Sequence, residues 1–112
     1  MTDTAASSAE PSIVVLTAIL DARDGEEGAL AAVLARYVVL TRREPSCRNV
    51  DLVTSTTRPG RFLVIEKWET DDAARSHLDT DLMAGMARDA VPLLERAPTL
   101  DLYETISAHD LM

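Results

Sequence analysis

Two stretches of this 112-residue chain are apolar on both faces of a strand, and that narrows the folds open to it. Ile13-Val-Val-Leu-Thr-Ala-Ile-Leu20 is rich in β-branched residues and is bounded by Pro11 and by the polar run Asp21 to Gly25. Phe62-Leu-Val-Ile65 repeats the pattern, with Phe62 and Val64 on one face and Leu63 and Ile65 on the other. A strand with one face in water alternates apolar with polar residues, whereas a strand covered on both sides need not. Both stretches therefore need a cover on each face. A chain this short forms one domain, so one of the two covers has to come from elsewhere.

The rest of the chain supplies the first cover. From Glu26 to about Arg43, Leu30, Val33, Leu34, Tyr37 and Thr41 fall on one helical stripe, with Arg42 and Arg43 near the negative end of the helix dipole. Pro45 ends that helix and pushes Glu44 toward an extended conformation. Cys47 to Thr56 reads as a second strand, with Val50, Leu52 and Thr54 sharing a face. Thr57-Arg-Pro-Gly60 is turn chemistry, so Arg61 to Glu69 returns as the other arm of a hairpin. Thr70 followed by two aspartates is an N-cap, and Thr80-Asp81 repeats the signal. These open a short helix ending near His77 to Asp79 and a second one running to about Glu95, bent or ended by Pro92. Thr99 to Ile106 alternates as a fourth strand. The order βαββαβ predicts an α+β, ferredoxin-like domain over residues 13–106, a four-stranded antiparallel sheet with helices on one face. Residues 1–12 read as a disordered arm and 107–112 as a tail.

The apolar second face then predicts a homodimer with two sheets packed face to face, because soluble monomers avoid so large an exposed patch. Composition removes other partners. Eleven basic against 19 acidic side chains give a net charge of −8, which repels nucleic-acid phosphates and anionic lipid. There is no secretion leader and no apolar run long enough to span a bilayer. The single cysteine, Cys47, can form no internal disulfide, which suits a reducing, cytoplasmic setting.

Chemistry concentrates in Phe62-Leu-Val-Ile-Glu-Lys-Trp-Glu69. Strand alternation puts Phe62, Val64, Glu66 and Trp68 on one face. A carboxyl between apolar residues and the only tryptophan is costly unless it is paired or lines a cavity. Glu66 is either a structural acid held by a donor or a working one. His77, nine residues beyond Trp68, suits proton donation or acceptance, or serves as a helix-end cap. Tyr37, Met83 and Met86 pack a core or form the adaptable wall of an apolar cavity. His109 lies in the tail and takes no part. No phosphate loop, nucleophile elbow or metal-ligand spacing is present, so no metal, nucleotide or flavin cofactor is expected.

Three segments, Arg43-Glu-Pro-Ser-Cys47, Arg61-Phe-Leu-Val-Ile-Glu-Lys-Trp-Glu69 and Ala74-Arg-Ser-His-Leu78, resemble the antibiotic biosynthesis monooxygenase (ABM) domain family. The resemblance spans about residues 13–106, with Ser46 standing where the family has glycine. It implies a dimeric α/β barrel and cofactor-independent oxygenation of quinols, anthrones or similar polycyclic phenols by O₂. It implies catalytic roles for Glu66, Trp68 and His77, with Trp68 and Phe62 as stacking walls beside the substrate wall of Tyr37, Met83 and Met86 read above. Ala18 and Ala87 stand where the haem-degrading branch has asparagine and histidine, so haem degradation is not expected. The competing readings are a non-enzymatic small-molecule-binding dimer and an isomerase or cyclase of the same fold.

Overall fold

The structure, a computed structural model, describes residues 13–107. The expected N-terminal arm and nearly all of the expected tail, His109 included, lie outside the described residues. Strands β1 (Val14–Asp21), β2 (Cys47–Thr54), β3 (Arg61–Trp68) and β4 (Thr99–Glu104) form one antiparallel sheet in the order β2-β3-β1-β4. Helices α1 (Glu27–Thr41), α2 (Asp71–Leu78) and α3 (Asp81–Ala90) pack on one face of it. This is the expected ferredoxin-like arrangement, and the two strands apolar on both faces, β1 and β3, are its centre.

Several ends fall short of the expected bounds, each for a local reason. β2 stops at Thr54 because the Ser55 hydroxyl accepts from the backbone N–H groups of Thr57 and Arg58 and starts the turn. Gly60 closes that turn at φ 83°, a left-handed conformation that glycine adopts without steric cost. α1 ends at Thr41, and Arg42 leaves the helix end to donate to the Val50 carbonyl at 2.8 Å, tying α1 to β2. α3 ends at Ala90 rather than Glu95, because Pro92 shapes the chain into one 3₁₀ turn, Val91–Leu93. β4 stops at Glu104, where Thr105 turns its hydroxyl to the Ile13 carbonyl.

The core lies between sheet and helices. Leu16, Leu20, Leu30, Leu34, Val50 and Val64 are buried almost completely. Each contributes about 1.5–3 kcal/mol by leaving water. One end of the sheet is held by charge. Asp21 accepts two bonds from Arg61, at 2.8 and 2.9 Å, and one from Arg96 at 2.6 Å. The Arg61 guanidinium outweighs desolvation and holds the Asp21 carboxyl well below the usual carboxylate range.

The opposite sheet face carries Val15, Ile19, Leu63 and Ile65, half-buried by one another, with Val53 and Tyr103 43% and 50% exposed beside them. All the buried core lies on the helix side, so no described segment of this chain packs over these residues.

Candidate active site

Alternation along β3 turns Glu66 and Trp68 inward, and antiparallel pairing sets Glu66 opposite Leu16 of β1. The acid thus sits in the middle of the sheet, 2% exposed. Desolvation raises its pKa above the ordinary carboxyl value, and the donors around it hold it down in part. One donor comes from the helix layer and one from the same strand. The Tyr37 hydroxyl, from the inner face of α1, donates to Oε2 at 2.5 Å. The indole Nε1–H of Trp68 donates to Oε1 at 2.9 Å. The partner that Glu66 requires is therefore supplied by a phenol and an indole.

His77 completes the group from α2. Its Nε2 lies 2.6 Å from the Tyr37 oxygen and 3.6 Å from Glu66 Oε1. Its ring stacks on Trp68 with centroids 4.6 Å apart. Its other nitrogen, Nδ1, meets Glu44 Oε2 at 2.7 Å. The imidazole is 1% exposed, and Thr80 fixes its backbone by donating twice to the His77 carbonyl. Glu44, its side chain 28% exposed, is the only member of the group with appreciable access to water.

Glu44 is placed by a β-turn. The Cys47 N–H donates to the Glu44 carbonyl at 3.0 Å, and Pro45 occupies the second turn position, which its fixed φ suits. No described non-glycine residue has positive φ, so Ser46 fits this turn without glycine's freedom. Glu44 was not singled out from the sequence as a site residue. The signal that could have found it is the Glu-Pro-x-Cys turn itself, which aims the residue before proline back at the helix pair.

Tyr37, Glu44, Glu66, Trp68 and His77 thus form one hydrogen-bonded chain. The other expected site residues are distributed differently. Tyr37 and Met86 line a groove of about 560 Å³ between α1 and α3, together with Val33, Leu40 and Leu82 and with the charged Arg36, Asp81, Arg88 and Asp89. Phe62 is buried in the core and Met83 packs partly buried against it, and neither lines this groove. Trp68, too, lies away from the groove, in a smaller cluster with Val14, Leu16 and Ala74. Tyr37 is therefore the one residue shared by the polar chain and the groove. Burial pushes its phenol far above the ordinary tyrosine value, with the Glu66 charge adding to the effect, so it works as a neutral hydroxyl. Thr41, one turn further along α1, favours the ionised phenol slightly, yet its own hydroxyl has no partner at hydrogen-bonding geometry among the described residues.

Cys47, nearby on β2, is half-buried, and its thiol is pushed up to about 11, first by burial and then by the Glu66 charge. It stays protonated at neutral pH and is a poor nucleophile. Among the described residues no set of three or more histidine, cysteine, aspartate or glutamate side chains is placed to hold a metal ion.

Residues 13–89 match the family model for antibiotic biosynthesis monooxygenase, well over half of the sequence and every element from β1 to α3. The chain belongs to the antibiotic biosynthesis monooxygenase family. Solved structures agree with the assignment in fold. A protein from Mycobacterium tuberculosis superposes with a TM-score of 0.80 at 24% identity, over 87% of this chain and 98% of that one. One from Shewanella oneidensis gives 0.78 at 26% identity, over 86% and 93%. One from Caulobacter crescentus, provisionally named an antibiotic biosynthesis monooxygenase, gives 0.78 at 20% identity, over 87% and 92%. None of the curated protein sequences matches this one. The ABM match includes Tyr37, Glu44, Glu66, Trp68 and His77, so the whole polar chain lies inside the family domain.

Proposed function

We propose that this ABM-family protein is a cofactor-independent monooxygenase that acts on a quinol, an anthrone or a similar polycyclic aromatic. The observation that carries the reading is Glu66: a carboxyl buried in the sheet centre, bonded to Tyr37 and Trp68, with His77 behind them. A buried carboxyl with a raised pKa is a proton acceptor matched to a weakly acidic phenol. Removing a proton from an electron-rich ring gives an anion that reduces O₂ directly, so the protein need only bind it, exclude water and stabilise the charge. One oxygen atom of O₂ enters the ring carbon, the other leaves as water, and the substrate loses two hydrogens. The groove between α1 and α3 lies in the size range of small-molecule sites, and its apolar wall suits a planar aromatic presented to Tyr37.

In this reading Glu66, Trp68 and His77 are the catalytic group. Tyr37, Phe62, Met83 and Met86 form the substrate-binding side, Phe62 and Met83 from behind its wall. The protein works in the cytoplasm as a homodimer, its apolar sheet face covered by a second copy. Support for the dimer comes from Val15, Ile19, Leu63 and Ile65, which form a patch of the kind soluble monomers avoid. Among the described residues no helix is long and apolar enough to cross a membrane.

The test is oxygen uptake with a panel of hydroquinones and anthrones, comparing the wild type with Trp68→Phe and His77→Ala. The expected result is uptake that falls at least tenfold in both variants, within the range assigned to a proton-transfer group. Equal rates in all three, or none above buffer, refute it. Quenching of Trp68 by the same compounds without oxygen consumption would identify a binding protein instead, and turnover without oxygen an isomerase.

A further inference from the structure

The polar chain has two ends, a sealed one at Glu66 and an open one at Glu44. The geometry points to Glu44 as the solvent outlet of a proton wire that runs Glu66–Tyr37–His77–Glu44 and resets the buried carboxyl after each turnover. This rests on the role proposed above for Glu66 and adds a residue and a direction to it.

The contacts are 2.5 Å from Glu66 Oε2 to the Tyr37 oxygen, 2.6 Å on to His77 Nε2, and 2.7 Å from His77 Nδ1 to Glu44 Oε2. The first and last are within the range of short, charge-assisted hydrogen bonds, and the middle one is slightly shorter than an ordinary N–H···O bond. A hydroxyl has one proton to give and lone pairs to accept with, and an imidazole has a nitrogen at each end. The same heavy-atom positions therefore satisfy two proton arrangements. In one, Tyr37 donates to the Glu66 carboxylate and accepts from His77 Nε2. In the other, protonated Glu66 donates to Tyr37, Tyr37 donates to Nε2, and Nδ1–H donates to Glu44.

The hops balance, and one pass leaves the chain in the first arrangement, so the Tyr37 hydroxyl rotates and the His77 ring turns over before the next. Glu66, having taken a substrate proton by way of Tyr37, the member of the chain that reaches the groove, passes it back to the Tyr37 oxygen. Tyr37 releases its own proton to His77 Nε2. His77 releases its Nδ1 proton to Glu44, and Glu44 gives it to water. One proton enters at Glu66, one leaves at Glu44, and Glu66 is again a carboxylate. Direct exchange with water is closed to the inner members, since Glu66, Tyr37 and His77 are each at most 2% exposed. Among the described residues, the other groups around Glu66 offer no second route. Cys47 on β2 holds its proton up to about pH 11, the Trp68 indole does not titrate, and Leu16 lies opposite on β1.

The single tryptophan makes the wire measurable without substrate, because Trp68 donates to Glu66 and stacks on His77. A stopped-flow pH jump across the Glu66 titration, read by Trp68 fluorescence, gives the rate at which the buried carboxyl gains or loses its proton. Glu44→Gln keeps a hydrogen-bond acceptor for His77 but cannot carry a proton onward, whereas Glu44→Asp can. The relaxation is expected to slow about tenfold or more in Glu44→Gln and to stay within about threefold of wild type in Glu44→Asp. An unchanged rate in Glu44→Gln, or an equal slowing in both variants, overturns the proposal. In turnover, Glu44→Gln is expected to lower kcat with KM unchanged. If the wild type turns over no phenol, the function proposed above fails, and the pH jump still decides whether the wire exists.

Discussion

Removing one oxygen atom from Tyr37 tests whether the buried chain is a connected unit. Tyr37→Phe keeps the ring and its place in the core but leaves Glu66 Oε2 and His77 Nε2 without the hydroxyl that joins them at 2.5 and 2.6 Å. A buried polar group left unpaired costs about 1–3 kcal/mol, so two give about 2–6 kcal/mol. Glu66 and His77 already lie 3.6 Å apart, and closing that distance would recover part of the loss. The expected destabilisation is therefore about 2–4 kcal/mol, a large share of the 5–15 kcal/mol typical of a domain. Urea unfolding followed by Trp68 fluorescence and by circular dichroism, at matched protein concentration, measures it. Thr57→Ala is the control, since that side chain is exposed in the β2–β3 turn and its hydroxyl lies 3.3 Å from Ser55 Oγ; it should cost under about 0.5 kcal/mol. The pH dependence has a definite sign. Glu66 has a raised pKa in the folded protein, so the native state holds its proton where the unfolded chain has released it. Its contribution is present below the ordinary glutamate value of 4.5 and is lost as pH rises through the folded value. Without the Tyr37 donor that value rises further, so the gap between Tyr37→Phe and wild type should widen with pH. A loss no larger than that of Thr57→Ala would refute the connected chain.

Asp21 carries the opposite sign. Its pKa is lowered by Arg61 and Arg96, so its stabilisation is present above the ordinary value of 3.8 and fades as pH falls below it. Asp21→Asn should cost about 2 kcal/mol at pH 7, and the difference from wild type should shrink in acid, as thermal melts across pH 2–7 would show. Ile65→Lys, a charge in the middle of the uncovered sheet face, should halve the mass seen by light scattering without loss of secondary structure. Cys47, with its thiol at about 11, should react with iodoacetamide at pH 8 about a hundredfold more slowly than free cysteine, and faster only as pH approaches that value.

Much of this was legible in the sequence, because periodicity and caps are local signals. The doubly apolar β1 and β3, the Thr70 and Thr80 caps, and the inward alternation of Phe62, Val64, Glu66 and Trp68 all appear as read. The bond from Tyr37 to Glu66 was not legible, since Tyr37 reads from the sequence as core or cavity wall. Element ends were less legible, because Ser55, Arg42 and Thr105 stop them through side-chain bonds to distant or neighbouring backbone. Glu44 was hidden for the same reason. Its partner His77 is 33 residues away, and only the packing of α2 beside the α1–β2 turn brings them together. The cavity position was not legible either. The groove opens between α1 and α3, at Tyr37 and Met86, while Phe62 and Trp68 fill the interior behind it.

The most direct test of the proposed chemistry is isotopic. Purified protein, given an anthrone or hydroquinone under ¹⁸O₂ with no added cofactor, should yield a quinone carrying one labelled oxygen atom, and Glu66→Gln should lose that product. An unlabelled product, or labelled product formed as fast in buffer or by Glu66→Gln, would contradict the account.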